Sequence, residues 1–386
     1  MKTYYTAVVI GGGASGLYFS HLMKDCLLIE KKSGCASKLL MTGGGECNFT
    51  HDDDAEEMVR HYCEKKAFVS PAIYSHDSHA VRSHFEELGV PSFTREDGKV
   101  FPISRDAHSV ADALINNTRN IITACRVTGV RKENGIFITQ STKGEFTSKY
   151  LVIAAGGASC PATGSDGDGY DLASSFGHHI ITPGPGLCRI KLVDNIPGCE
   201  GITLGNVSFR LAGKIFEGPL LFTDSGISGP AVMNASRYVG NKGEITICFH
   251  PLEENAVKRL EGRKKAVNAL SAYTHLPDRF LRNLLPFLGD KNIADMNRQD
   301  IRETVQRLSA FRSSCTTQGE MKRATVTHGG VDTKEVDRKT FQSLLCDNLH
   351  LIGEVLDVDG ECGGYNLSFA FASAFCAFSA ISEKES

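Results

Sequence analysis

Residues 7–30 constrain this chain more than any other stretch. Residues 7–10 (AVVI) form an apolar run of the length and kind of a buried strand. The run stops at Gly11, and residues 11–16 (GGGASG) supply the pattern G-x-G-x-x-G. In that pattern Gly11 allows a tight turn, Gly13 lets the backbone approach a pyrophosphate, and Gly16 lets the next helix pack closely on the strand. The helix expected over 14–23 then directs the N–H groups of Ala14 and Ser15 at the phosphates. A second apolar run, 26–29, ends in Glu30, about 20 residues from the first glycine, where a carboxylate accepts from ribose hydroxyls. Strand, glycines, helix, strand and acid in this order point to an adenine dinucleotide. Glu30 argues against a 2′-phosphate at this site, because the two negative charges would repel.

A length of 386 residues exceeds what one core usually supports, so two or three domains are expected. The net charge of −3 gives no electrostatic case for nucleic acid or an anionic membrane surface. Residues 1–5 lead directly into the first strand, leaving no room for a signal peptide. No apolar stretch is expected to reach the roughly 18 residues of a membrane span. The thirteen cysteines are scattered with no framework spacing, which reads as reduced, cytoplasmic thiols, and there is no CxxC pair to serve a dithiol–disulfide reductase.

After Glu30, residues 38–48 (KLLMTGGGECN) form a second glycine-rich segment. Its bare N–H groups suit a phosphate or an isoalloxazine edge, and equally a flexible loop. Residues 52–57 read as a solvated acidic stretch. Helices are expected over 78–88 and 109–117, a strand near 121–127, a hairpin at 129–131 and 136–140 around Asn134-Gly135, and a third strand at 145–148. These lead into residues 150–157 (YLVIAAGG). A small antiparallel meander followed by an apolar strand ending in small residues is the crossover layout of flavoproteins of the glutathione-reductase type. Residues 156–169 form a long glycine loop without the spacing of a second dinucleotide fingerprint, so a nicotinamide nucleotide would lack its own Rossmann domain.

From about 189 to 249 the pattern changes to short strands at 190–192, 207–211, 214–216, 220–223 and 244–248, as in a small antiparallel barrel or sandwich. Residues 252–312 read as helical, and the basic run 263–265 as a solvated helix face. The loop 223–230 (TDSGISGP) either covers the flavin as part of a substrate pocket or merely joins two packed elements. Near 325 the first domain resumes. Residues 349–360 (LHLIGEVLDVDG) place Gly353 and Glu354 where this flavoprotein type meets the ribityl–phosphate region. Residues 363–367 (GGYNL) start a helix, expected over 366–378, whose N–H groups and dipole stabilise negative charge on the reduced flavin edge.

The segments KLLMTGGGECNFT, YLVIAAGGASCPATGSDGDGY, LLFTDSGISGPAVMNASR and VTHGGVDTKEV…LIGEVLDVDGECGGYNLSFAFASAF resemble the BaiN-like family of NAD(P)/FAD-dependent oxidoreductases, also labelled aminoacetone-oxidase-family or YhiN-like flavoproteins. The resemblance is weakest over 252–312. It implies an α/β fold: a discontinuous Rossmann FAD domain of the glutathione-reductase type (1–188 and 325–386), an inserted β-barrel (189–251 and about 313–324) and a helical insert (252–312). It implies FAD as cofactor, with NAD(P)H a transient electron donor. The cofactor set is Gly11, Gly13, Ala14, Ser15, Gly16, Glu30, Lys31, Lys38, Thr42, Gly43, Gly44, Asn48, Val127, Ala155, Gly156, Gly157, Gly353, Glu354, Asp357, Gly364, Tyr365, Asn366 and Leu367. Glu46 stands where the family usually has Arg, and Cys160 where an aromatic is common.

The expected activity is reduction of a small organic substrate by NAD(P)H through flavin N5. An aminoacetone-type oxidase passing electrons to oxygen and a flavin-bound sensor without turnover are the alternatives. No metal, nucleic-acid or membrane partner is expected. Hydride transfer calls for a proton on the substrate side. Tyr365 and His328 are the candidate donors, Tyr365 alternatively packing on the isoalloxazine and His328 alternatively an exposed turn residue.

Overall fold

The computed structural model describes residues 4–260 and 264–386. Residues 1–3 of the expected lead-in and Arg263 of the basic run lie outside the described residues. The chain divides into two compact units, residues 1–184 with 321–386, and residues 185–320.

The first unit is built on the expected strand–glycine–helix–strand. Strand β1 (Tyr4–Ile10) feeds helix α1 (Ala14–Leu22) and strand β2 (Cys26–Ile29), whose four residues are all buried. Continuous burial explains why these strands are apolar without alternation. β1 pairs in parallel with β2 on one side and with strand Gly144–Ile153 on the other, and strand Leu349–Leu351 extends the parallel set. The register aligns Ile10 with Ile29 and Ile153, and Ile153 with Leu351. The carboxyl ends of four parallel strands therefore finish on one line, the edge at which open α/β sheets hold their ligands. The hairpin Val127–Glu133 and Ile136–Ser141 adds an antiparallel edge.

Local chemistry sets several boundaries that differ from the expected ones. Residues 145–148 and 150–153 form one strand, because Phe146, Ser148, Tyr150 and Leu151 are all buried and no turn residue separates them. The acidic stretch 52–57 is not a plain solvated surface: Asp54 caps helix Ala55–Arg60 by accepting from the Glu57 N–H. The turn expected to hold His328 is a strand, Val326–Val331, paired with Ile180–Gly186, with Gly329 and Gly330 inside it. Both glycines have left-handed φ, and a Cβ on Gly329 would meet the Thr182 carbonyl oxygen at 2.5 Å, so they permit backbone contact instead of a turn. The last helix runs further than expected, Tyr365–Glu385, and by length and composition it reaches what a membrane span needs. It is a core helix, with Phe369, Phe371, Ala374 and Ala377 among its buried residues.

The second unit contains a closed six-stranded barrel in the order Ile190–Leu192, Gly226–Ser228, Lys214–Thr223, Thr203–Leu211, Gly243–Cys248, Phe311–Thr316. Period-two burial of Val207, Phe209 and Leu211 fills its interior. The expected loop 223–230 contributes a stave, Gly226–Ser228, because a Cβ on Gly226 would strike the Ile190 carbonyl oxygen at 2.1 Å and only glycine lets the two strands pair so closely. The region 252–312 holds separate helices, chiefly Ala266–Thr274, Asp278–Leu284 and Arg298–Ser309, and its last two residues open a barrel strand. Phe280 packs edge-on to Phe249 at 4.9 Å and tilted on Phe222 at 5.4 Å within this unit's core.

The first unit buries several neutral imidazoles. His350 is 1% exposed and its Nδ1 faces the Thr340 carbonyl at 2.9 Å. Burial pulls its pKa down to about 4. Folded His350 therefore binds fewer protons than unfolded His350 between pH 6.5 and 4, so its contribution is intact above pH 6.5 and is lost as pH falls. The loss is about 1 kcal/mol between pH 6.5 and 5.5 and approaches about 1.4 kcal/mol per pH unit further inside the window. Urea unfolding at pH 6.5 and 5.5 is expected to show this loss, with a smaller slope in His350→Phe; an identical slope in both proteins would refute the assignment.

Candidate flavin site

The cradle begins where β1 ends. The Gly11 N–H donates to the Ile29 carbonyl at 2.9 Å, and the Gly11 φ of +109° turns the chain. A Cβ on Gly16 would lie 1.9 Å from the Gly11 carbonyl oxygen, so helix and turn touch through bare backbone. Gly13 differs: a Cβ there meets nothing within 4 Å. It is the N-cap of α1, with no side chain capping the helix and Ala14 and Ser15 following. Open space beside uncapped, outward N–H groups is a fit for a pyrophosphate. Glu30 stands at the end of β2, its Oε2 accepting from the Gly12 N–H and its Oε1 from the Lys32 N–H, both at 2.7 Å. Two further observations fit a bound group: Asn48 Oδ1 and Ser165 Oγ are buried without a protein partner.

Some expected cofactor contacts have other partners. Lys31 pairs with Asp166 and, at 2.9 Å, with Asp168, which Arg126 also holds. Lys38 Nζ donates to both Glu354 oxygens at 2.8 Å and to Ser159 Oγ at 2.6 Å, and the Thr327 N–H donates to Glu354 Oε1 at 2.8 Å. A Cβ on Gly157 would come within 2.2 Å of Thr327 Oγ1, while Gly353, at φ +69°, sits against Ser15. Ala155 and Gly156 continue from the central strand into this turn. The segment 38–48 forms a tight turn with Gly43, Gly44 and Gly45 all left-handed, and the Thr42 hydroxyl donates to the Leu39 carbonyl at 2.7 Å. Val127 opens the hairpin. Asp357 Oδ2 accepts from Lys65 at 2.5 Å, while its buried Oδ1 has no partner. Asn366 bridges the Gly360 N–H and carbonyl, each at 2.9 Å, beside half-buried Leu367.

Tyr365 follows left-handed Gly364 and stacks against two imidazoles, His61 at 4.2 Å and His51 at 5.1 Å, which also lie 6.5 Å from each other. Its hydroxyl donates to Asp53 Oδ2 at 2.8 Å, and His51 Nδ1 lies 2.8 Å from the same oxygen. Burial and then Asp53 push the phenol pKa far up, so it stays protonated. The hydrogen bond that His61 Nδ1 donates to Glu361 Oε2 raises the His61 pKa. His328 Nδ1 faces Asp359 Oδ1 at 3.1 Å, and Asp359 is 3% exposed. His51, Asp53, His61, Ser159 and Thr327 escaped the sequence reading. Asp53 sits in a run of charges, and nothing in the local sequence connects residue 53 with residue 365.

The family described as HI0933-like protein Rossmann domain matches residues 5–380. The chain belongs to this family. Among its relatives, the ribosomal RNA dihydrouridine synthase of Haemophilus influenzae is 29% identical across 98% of this chain and 99% of that protein. The 3-dehydro-bile acid delta(4,6)-reductase of Clostridium scindens is 27% identical across 97% of this chain and 98% of that protein. The fold is shared with a flavocytochrome c3 fumarate reductase (TM-score 0.53, 13% identity, 98% of this chain and 78% of that one). It is shared also with the 3-ketosteroid-delta4-(5alpha)-dehydrogenase of Rhodococcus jostii (TM-score 0.50, 12% identity, 97% of each chain). The family member described here is an FAD-dependent oxidoreductase with FAD as its cofactor.

The two glycines separate cofactor binding from folding. Gly13→Ala has room for its methyl and is expected to fold with a near-native Tm but to lose most bound FAD. Gly16→Ala is expected to lower Tm by several degrees or to prevent folding. Flavin absorbance after desalting and thermal unfolding check both; full FAD retention in Gly13→Ala would remove the pyrophosphate from this position.

Proposed function

We propose that this enzyme reduces a carbon–carbon double bond conjugated to a carbonyl in a small organic substrate, with NAD(P)H as electron donor. One observation carries the reading: two relatives matched over nearly the whole chain bear names for that same change. Dihydrouridine is uridine with two hydrogens added across a double bond conjugated to a ring carbonyl. A 3-oxo-4,6-diene presents the same electrophile in a carbon ring. Both need a hydride at the far carbon and a proton at the carbon next to the carbonyl system. The thirteen cysteines are all free, which supports a reducing, cytoplasmic setting.

FAD, when bound, would supply two-electron redox chemistry between a reduced nicotinamide and the substrate. The chain's own part is to hold that group and to manage the proton. Gly13 and the start of α1 would hold the pyrophosphate over the turn made by Gly11, and Glu30 would hold the ribose. Lys38 orients Glu354 by donating to both of its oxygens. His328 is the proton donor in this reading. Its Nδ1 contact with buried Asp359 fixes the ring orientation. Tyr365 takes the packing role, since its hydroxyl is directed at Asp53.

Anaerobic stopped-flow mixing tests this. NADH or NADPH is expected to bleach the bound flavin, and an α,β-unsaturated ketone to restore its colour. Bleaching by small amines and not by NAD(P)H would establish the oxidase alternative instead. In His328→Gln, reoxidation by the ketone is expected to slow by 10²–10⁴-fold with bleaching unchanged. Tyr365→Phe is expected to leave both rates near wild type.

A further inference from the structure

We infer that the second unit carries a separate nucleotide-binding cleft. The cleft has a volume of about 710 Å³, within the range of small-ligand sites. One wall is a face of helix Arg298–Ser309, from which Gln299, Arg302, Gln306 and Arg307 recur at helical spacing. Facing them are the loop 194–197, residues 283–286 and the start of the strand Phe311–Thr316, which brings Arg312. The opposite side of the helix, with Asp300, Thr304 and Leu308, is buried, so burial of that side fixes the polar side in the cleft.

The side chains divide into those committed to the protein and those that are not. Arg307 is committed: Nη1 donates to the Leu284 carbonyl at 3.0 Å, and Nε and Nη2 reach Glu303 Oε1 at 3.1 and 2.9 Å. Arg302 has only an exposed pair with Glu254 at 3.4 Å, of the kind that contributes little and exchanges readily. Among the described residues Arg312 has no carboxylate partner, and the Gln299 and Gln306 amides bond to no protein group. Two available guanidinium forks suit a phosphate, bidentate and planar. Two available amides, each donor and acceptor at once, suit the edge of a nucleobase. Asp194, at the same cleft, offers the acceptor that ribose hydroxyls need. Ile196, Pro197 and Phe311 give apolar surface for the flat ring. The shared ligand chemistry is a nucleotide phosphate, whether free or part of an RNA strand. This cleft is independent of the reaction proposed above.

Titration calorimetry on the FAD-loaded full chain tests the inference, with uridine, UMP and a nine-residue oligouridylate as probes. UMP is expected to bind at least 10-fold tighter than uridine, because the phosphate meets Arg302 and Arg312. The double variant Arg302→Ala/Arg312→Ala is expected to remove that preference with flavin absorbance unchanged, both side chains being exposed. Arg302→Lys/Arg312→Lys is expected to keep part of it. An oligouridylate binding 10-fold or more tighter than UMP identifies a strand as the source, and equal binding a free nucleotide. Equal affinity for uridine and UMP in the wild type, or a phosphate preference that survives in the double alanine variant, overturns the site.

Discussion

The first unit depends on one close approach: the backbone of Gly16, at the start of α1, against the carbonyl of Gly11, at the end of β1. Because no side chain separates them, the helix begins directly over the strand end. A Cβ on Gly11 would likewise strike the Ala154 carbonyl oxygen at 2.4 Å, so the neighbouring strand shares the contact. The parallel register then puts Glu30, Ala154 and Gly353 on the same edge. Contact between bare backbones thus sets both the packing of the layers and the location of the cofactor.

Around that edge the charged groups are largely neutralised by the protein itself. Lys38 with Glu354, Lys65 with Asp357, His328 with Asp359 and Tyr365 with Asp53 each match a carboxylate to a donor. A buried carboxylate without a hydrogen-bond partner is costly, and these pairings give each acid a donor where a polar cofactor has to lie. The second unit follows the same rule. Burial pushes the Glu320 carboxyl up, but Lys191 and Arg189 outweigh it and hold it below the ordinary value. Asn48 Oδ1, Ser165 Oγ and Asp357 Oδ1 are among the buried polar atoms of the described residues that have no protein partner.

The second unit has its own core, and its helices and barrel strands share it: Phe222 of a stave meets Phe280 of a helix. That explains why residues 252–312 carried so little signal. Their helices are short, and their apolar residues answer to barrel side chains distant in sequence instead of to a repeating stripe.

The sequence by itself determined the fingerprint from residue 7 to Glu30, the change from a parallel to an antiparallel pattern near 189, and the small-residue helix near the C-terminus. Each of these rests on spacing along the chain: two residues for a strand, 3.6 for a helix, fixed offsets for a glycine turn. Only the tertiary structure decided that Asp53 holds Tyr365 beside His51 and His61, and that Lys38 belongs to Glu354 across 316 residues. It also decided that Gly226–Ser228 is a barrel stave and His328 a strand residue oriented by Asp359. The physical reason is common to all of these. Polar pairing and close backbone contact depend on which segments are neighbours in space, and no local periodicity records that.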